Sequence, residues 1–191
     1  MKLNKIMMAA VLAFGATSMM ANAAVKDQGH GTVTFTGSII DAPCSITPET
    51  VDQIVDLGQV SNVALKDGGK STPKNFQIKL ENCELITEKE GKNNTVSLTF
   101  TGASSEANDG RLGITGTAQG ASIAITDGAG TVIELGKPTD VQELQNGNNT
   151  LSFAAYLQGD MIKGAEGSEA TGATIVPGTF QSVADFTLAY Q

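Results

Sequence analysis

Short runs of alternating apolar and polar residues recur along most of the chain, separated by turns rich in glycine, asparagine and aspartate. In residues 76–81 and 96–100 every second residue is apolar, a period of two that predicts strands with one buried face. In the last run, residues 179–191, five apolar residues occupy even-numbered positions: Phe180, Ala184, Phe186, Leu188 and Tyr190. Many short strands joined by such turns predict an all-β sandwich.

Weaker strand patterns occur in six other segments. They cover residues 32–41, 44–47, 54–57, 122–126, 131–135 and 151–157. The sequence Asp127-Gly128-Ala129-Gly130 between two of them favours a hairpin turn, because its glycines adopt positive φ easily. Residues 84–94 are polar and charged and predict a surface loop. No second domain is indicated.

The first strand-like stretch of the exported chain has an unusual composition. In residues 25–35 the even positions are polar, and the odd positions are Val25, Asp27, Gly29, Gly31, Val33 and Phe35. Glycines on one face weaken a strand that is used only locally, but they let another backbone or a deep groove approach closely. We therefore hypothesise that this strand lies in another molecule.

Residues 1–23 have the features of a signal peptide. Lys2 and Lys5 form a basic start, residues 6–20 are mostly apolar, and Ala21-Asn22-Ala23 matches a signal-peptidase site. We expect cleavage after Ala23 and export of the mature chain. Loss of the two lysines takes the formal charge from −8 to −10. Such an acidic chain argues against a nucleic-acid partner.

The two cysteines, Cys44 and Cys83, favour a disulfide in an exported protein. Closing the loop between Cys44 and Cys83 stabilises the fold by roughly 4 kcal/mol on the chain-entropy model. A metal site is the weaker alternative, because two cysteines and one histidine do not supply four ligands.

Catalysis has little support in the sequence. His30 is the only histidine, and no serine or cysteine nucleophile has a visible orienting partner. The carboxylate pairs lie in loops beside lysines or glycines, where a solvated surface is the better interpretation. We therefore predict that the protein is not an enzyme and has no cofactor or metal.

Several motifs together resemble the major shaft pilins of chaperone–usher fimbriae, most closely those of P-type pili. They are G-H-G-T-V-T-F (29–35), D-A-P-C-S-I (41–46), V-D-L-G-Q (55–59), L-E-N-C (80–83), G-T-F (178–180) and F-T-L-A-Y-Q (186–191). The resemblance covers nearly the whole mature chain. It implies an incomplete immunoglobulin-like sandwich that a donor strand from another subunit completes.

The resemblance also implies roles for individual residues. Residues 24–34 would be an N-terminal donor-strand extension, and residues 35–191 a single pilin domain. The donor side chains would be Val25, Asp27, Gly29, Gly31 and Val33, with either Gly29 or Gly31 at the position that must lack a side chain. The acceptor groove and chaperone contact would include Phe180, Ala184, Phe186, Leu188, Tyr190 and the carboxylate of Gln191.

The implied function is that of a structural shaft subunit, which polymerises into a bacterial surface fimbrium supporting adhesion. Its partners would be other copies of itself in a head-to-tail filament, a periplasmic chaperone, an outer-membrane usher, and tip or adaptor pilins. The implied location is the cell-surface fimbrium, reached through the periplasm. Two alternatives stay open: a minor adaptor or terminator pilin, and a self-contained secreted β-sandwich that binds a carbohydrate or a host protein.

Overall fold

The computed structural model describes residues 29–85, 94–107, 110–164 and 169–191. The predicted signal peptide, Val25 and Asp27 lie outside the described residues, as does most of the predicted loop at 84–94. Within the part that is described, no helix is both long and apolar enough to span a membrane. The contacts within the chain divide it into two units, residues 1–39 and residues 40–191.

The described part of the first unit, residues 29–39, forms no regular secondary structure and its side chains are exposed. Val33, Phe35 and Ile39 are 74%, 89% and 103% exposed. The prediction of a strand over residues 32–41 is therefore wrong for the isolated chain. A strand needs a hydrogen-bonded neighbour, and no ladder of the described residues includes a position before Ser45.

Every strand of the second unit that the structure describes pairs antiparallel with its neighbours. In chain order they are β1 (Ser45–Ile46), β2 (Lys74–Cys83), β3 (Thr95–Gly102), β4 (Thr115–Gly116), β5 (Ala121–Asp127), β6 (Val132–Ile133), β7 (Gln142–Glu143), β8 (Gly147–Gly159), β9 (Met161–Ile162), β10 (Thr171–Gly172), β11 (Phe180–Gln181) and β12 (Ala184–Tyr190). A short helix α1 (Pro48–Val51) and a 3₁₀ helix (Asn62–Gly68) follow β1. The all-β prediction is confirmed.

Two sheets hold the core between them. One has the order β1-β2-β8-β5-β6 and the other β12-β3-β7, and β9 with β10 and β4 with β11 form two small pairs. The predicted period of two is visible in β2, where Ile78 and Leu80 are buried while Gln77 and Lys79 are exposed. Such alternation lets one face of the sheet pack on the core while the other meets water.

The hairpin predicted around residues 127–130 is present. Ile125 pairs with Ile133 across β5 and β6. The Asp127 carboxylate accepts hydrogen bonds from the backbone N–H groups of Ala129 (2.9 Å) and Thr131 (2.8 Å). These bonds tie the turn to its own side chain, which is the usual role of aspartate at such positions.

A disulfide joins Cys44 to Cys83, as predicted. Both residues are 3% exposed and belong to a core cluster with Ile78, Leu80 and Phe153. The bond links the residue before β1 to the last residue of β2, and β1 itself pairs with β2 through only two residues. The covalent link therefore secures a strand whose ladder alone is short.

We expect loss of this bond to lower the yield of folded subunit. A Cys44→Ala/Cys83→Ala double variant removes a constraint worth roughly 4 kcal/mol without leaving a free thiol to mispair. Periplasmic yield and the urea midpoint of the purified subunit measure the effect. Wild-type yield and stability in the double variant would contradict a structural role for the disulfide.

Candidate functional site

A long open groove of about 1390 Å³ runs along the second unit. Residues 51–60, here called the first rim, line one side, and residues 175–186 line the other. Its floor consists of apolar side chains from both sheets and the loops between them: Phe76, Ile78, Phe100, Leu112, Ile114, Ile123, Ala155 and Leu157. The groove thus exposes part of what would be the interior of a closed sandwich.

The second side of the groove includes the start of β12. All seven residues of β12 pair with β3, from Ala184 opposite Gly102 to Tyr190 opposite Val96. In the ladders of the described residues β3 is its single neighbour. The other edge of β12 therefore presents backbone donors and acceptors along the groove, and such an edge readily pairs with an added strand.

The first rim is also an open edge. The predicted strand at residues 54–57 does not form, because these residues join none of the described ladders. Val55 and Leu57 are half-buried, whereas Ile54 is 98% exposed. Side chains stabilise the segment instead: Gln53 donates from Nε2 to the carbonyl of Gln77 at 3.1 Å, and Asp56 accepts from the N–H of Gly58 at 2.8 Å.

The five apolar residues predicted for the acceptor side fall into two groups. Phe180, Ala184 and Phe186 line the groove. Leu188 and Tyr190 share the inward parity of β12, are half-buried, and pack against the core cluster that contains the disulfide. Burial raises the pKa of the Tyr190 phenol above its usual value, since the charged phenolate loses hydration there.

Gln191, the sixth predicted residue, is held in line with β12. Its backbone N–H donates to the carbonyl of Thr95 at 3.0 Å, and its oxygen accepts from the Thr95 N–H at 3.1 Å and hydroxyl at 3.1 Å. The side chain is exposed. The backbone of Gln191 is thus fixed in line with the edge strand.

Three aromatic rings make up the middle of the groove. Phe100 lies 6.3 Å from Phe76 and 6.4 Å from Phe186 between ring centroids. Phe76 and Phe100 were visible as core positions of predicted strands, but Leu112, Ile114 and Ile175 lie in turn-rich sequence outside every predicted strand. No pattern in the sequence singles these three out, since only the tertiary fold gathers them.

The charges of the groove are all negative. Asp52, Asp56 and Asp185 are the charged residues among those that line it. No group of histidine, cysteine, aspartate and glutamate residues in the described part of the chain could hold a metal ion. His30, exposed in the first unit, lies outside the set that lines the groove.

Geometry and chemistry together define the class of site. An apolar floor between two open backbone edges accepts an extended peptide strand, because main-chain bonds supply affinity and alternate side chains enter the floor. The second unit is therefore a strand-accepting β-sandwich.

Comparison with known proteins gives the family. The family model described as fimbrial protein matches residues 33–191. The chain is 63% identical to the Fimbria A protein of Serratia marcescens over 191 residues, which covers 100% of both chains. The chain belongs to the fimbrial protein family. Members of this family are structural subunits, so the prediction of a non-enzymatic protein is confirmed.

Solved structures agree with this assignment. A structure of a chaperone–usher pilus, concerned with rod uncoiling, matches with a TM-score of 0.70 and 36% identity, covering 86% of this chain and 97% of that one. The crystal structure of the P pilus rod subunit PapA matches with a TM-score of 0.65 and 34% identity, covering 78% and 100%. The predicted resemblance and the immunoglobulin-like fold are confirmed.

We expect Gly102 to tolerate no side chain, because β12 begins against it. A Cβ atom there would lie 2.7 Å from the carbonyl oxygen of Val183 and would overlap the Leu112 side chain. Gly102→Ala should destabilise the subunit by about 1–3 kcal/mol by pushing the start of β12 outward.

Gly128→Ala is the matched control, since its Cβ would meet Ser152 at 3.5 Å, an ordinary contact. Periplasmic yield of the two variants, and the urea midpoint of the purified subunits, make the comparison. Equal stability would show that β12 does not depend on this close approach.

Proposed function

We propose that this protein is the structural shaft subunit of a bacterial surface fimbrium and that it polymerises by donor-strand exchange. In this process the N-terminal extension of one copy enters the groove of the next. The observation that carries the proposal is the open groove between β12 and the first rim, because its apolar floor and two open edges match an extended strand. Similarity to the P pilus rod subunit supports a place in the shaft.

The extension has the side chains that such a groove needs. Val33, Phe35 and Ile39 are large, apolar and strongly exposed, and they share one parity with Gly31 and Gly37. An isolated exposed apolar residue is common, but three on one face of a short segment indicate a binding surface. Burying each contributes about 1.5–3 kcal/mol before the cost of ordering the segment.

The largest of these side chains fixes our proposed register. Phe35 fits the aromatic middle of the groove, where edge-to-face packing on Phe100 and Phe186 is favourable. Every ladder in the described residues is antiparallel, so we place the donor antiparallel to β12. Phe35 then lies opposite Phe186.

This register sets the remaining pairs. The donor row and the inward row of β12 run in opposite directions, so Gly31 lies opposite Tyr190, Val33 opposite Leu188 and Gly37 opposite Ala184. Ile39 then lies opposite Ser182, just before β12 begins. The nine residues 31–39 thus match the nine residues 182–190. The row predicted from sequence, Val25 to Val33, shares Gly31 and Val33 with this set, and Val25, Asp27 and Gly29 would lie beyond the end of β12.

The open edge also accounts for the proposed partners. A periplasmic chaperone that donates its own strand would cover the groove until exchange, and it would bind the Gln191 carboxylate at the end of β12. Assembly at an outer-membrane usher, with tip or adaptor pilins at the distal end, follows from family membership. Because the contact joins two different surfaces and does not close on itself, it builds a filament at the cell surface.

The alternatives have weaker support. A self-contained sandwich would cover its apolar interior with its own strands, whereas here the groove beside β12 leaves part of that interior open. A minor adaptor or terminator pilin would have the same groove, but the similarity to a rod subunit over 100% of that chain favours the shaft.

One test compares an inward-facing and an outward-facing position of the proposed donor strand. We expect Phe35→Asp to abolish fibre formation, because it would bury a carboxylate in the aromatic part of the groove. Thr34→Asp, one residue away and on the outward face, should leave fibres intact. Electron microscopy of cells expressing the export partners gives the result, and pull-down with the chaperone checks that both variants still fold. Fibres from Phe35→Asp would exclude this donor assignment.

A second test examines the register. Gly31→Leu would place a bulky side chain against Tyr190 and should block polymerisation, while the subunit still binds the chaperone. Gly29→Leu should polymerise normally, because residue 29 lies beyond the end of β12 in the proposed alignment. The opposite result, with Gly29 intolerant and Gly31 tolerant, would move the register by two residues.

A further inference from the structure

We propose that Asn146 is the preferred site of spontaneous deamidation in the described part of the chain, and that the fold prepares its side chain for this reaction. Water from the solvent is the co-reactant. The modification converts an exposed amide just before β8 into a carboxylate. It is independent of the donor-strand arrangement, because it concerns a single subunit.

The residue that follows Asn146 is a glycine. Deamidation of an asparagine begins when the backbone nitrogen of the next residue attacks the side-chain amide carbon. A side chain on that next residue hinders the attack, and glycine has none. Asn146-Gly147 is the single Asn-Gly pair in the sequence. Both residues are exposed, so base and water from the solvent reach them.

The backbone around Gly147 leaves room for a ring to close. Its φ is +94°, and a Cβ atom at this position would meet no atom within 4 Å. Gly147 is the first residue of β8 and pairs with Cys83, at the point where the β2–β8 ladder shifts its register. A ladder is locally disrupted at such an irregularity. The backbone nitrogen of Gly147 is therefore held less firmly than one inside a regular ladder.

A fixed hydrogen-bond donor already lies on the oxygen that gains charge in the reaction. The backbone N–H of Leu85 donates to Oδ1 of Asn146 at 2.8 Å. Attack on the amide carbon places negative charge on this oxygen, and a donor held in place stabilises such charge as it develops. The nitrogen that leaves, Nδ2 of Asn146, takes part in none of the hydrogen bonds of the described residues.

A second asparagine in the same turn is held in the opposite way. Asn149 is half-buried, and its Nδ2 donates to the carbonyl of Gln145 at 2.7 Å and to Sγ of Cys83 at 3.2 Å. Its Oδ1 accepts from the N–H of Gln145 at 2.8 Å. Loss of the Asn149 amide nitrogen would break two hydrogen bonds, and the branched side chain of Thr150 hinders the attack. The fold thus protects Asn149 and leaves Asn146 open to reaction.

The reaction has two steps and involves no oxidation or reduction. Base from the solvent removes the proton of the Gly147 N–H, and the nitrogen attacks Cγ of Asn146. The bond from Cγ to Nδ2 breaks, the amide nitrogen leaves as ammonia, and a succinimide ring remains. Water then adds to one of the two ring carbonyls and breaks its bond to the ring nitrogen. One opening gives aspartate and the other gives isoaspartate.

The two products differ in their effect on the fold. Aspartate keeps an acceptor for the Leu85 N–H, and a charged acceptor forms the stronger hydrogen bond. Isoaspartate adds a carbon atom to the main chain directly before Gly147, the ladder partner of Cys83. We therefore expect the isoaspartyl form to loosen the start of β8 and the aspartyl form to leave it intact.

The test uses the folded, full-length mature chain, incubated in mildly alkaline buffer and then digested. Mass spectrometry with peptide fragmentation locates the deamidated residue and separates aspartate from isoaspartate. We expect Asn146 to react at least about tenfold faster than Asn149, which corresponds to about 1.4 kcal/mol of barrier. Both products should appear. Equal rates at the two asparagines would overturn the proposal, and aspartate without isoaspartate would exclude the succinimide route.

A matched variant separates the effect of the fold from that of the sequence. Thr150→Gly places a glycine after Asn149 as well, and the Thr150 side chain is exposed, so we expect this variant to fold. Asn149 should still react slowly, because its hydrogen bonds remain. If Asn149 in this variant reacts as fast as Asn146, the following glycine alone decides the site, and the structural assignment is wrong.

Two further variants examine the site itself. Asn146→Gln should abolish the modification, because its longer side chain closes a ring much more slowly. An unchanged overall rate of deamidation in this variant would place the reaction elsewhere. Asn146→Asp should keep the wild-type urea midpoint, whereas the isoaspartyl fraction of incubated protein should unfold at lower urea. These measurements need no fibres, so their failure is distinct from failure of donor-strand exchange.

Discussion

The one-sided pairing of β12 is the constraint on which the rest of the structure depends. Its inward side chains pack on the core, and β3 pairs with one of its edges over seven residues. The second edge borders a groove that reaches the apolar floor between the sheets. Water can satisfy the backbone groups of that edge, but it cannot replace the missing apolar contacts. The fold therefore reaches its full packing only when a strand from outside the domain fills the groove.

Periodicity predicted the elements whose stability comes from a buried face. Residues 76–81, 96–100 and 122–126 were found in this way, and the Asp127 turn was found from its residue types. The same reasoning predicted strands at residues 32–41 and 54–57, where the structure has none. An alternating pattern reports which side chains will be buried, but a strand also requires a partner edge. In these two segments the pattern is present and the partner is absent from the described ladders.

The site was predictable in part. The even-numbered row from Phe180 to Tyr190 was read directly from the sequence, although Ser182 and Val183 divide it between β11 and β12. The groove itself was not predictable from periodicity, because a missing strand leaves no residues to read. The fold also contributes floor residues such as Leu112 and Ile114, which lie outside every predicted strand. The resemblance to shaft pilins supplied what the pattern could not, namely that the last strand of the sandwich belongs to another copy.

The net negative charge of the subunit and the apolar contact between subunits have different roles in assembly. Subunits cleaved after Ala23, as the sequence predicts, would have a formal charge of −10 and would repel one another at long range. This repulsion would favour solubility and oppose unspecific association. A joint made of backbone hydrogen bonds and buried apolar side chains is insensitive to that charge once it has formed. In the donor-strand arrangement proposed above, the strength of this contact is therefore set by Val33, Phe35 and Ile39 packing against the groove floor.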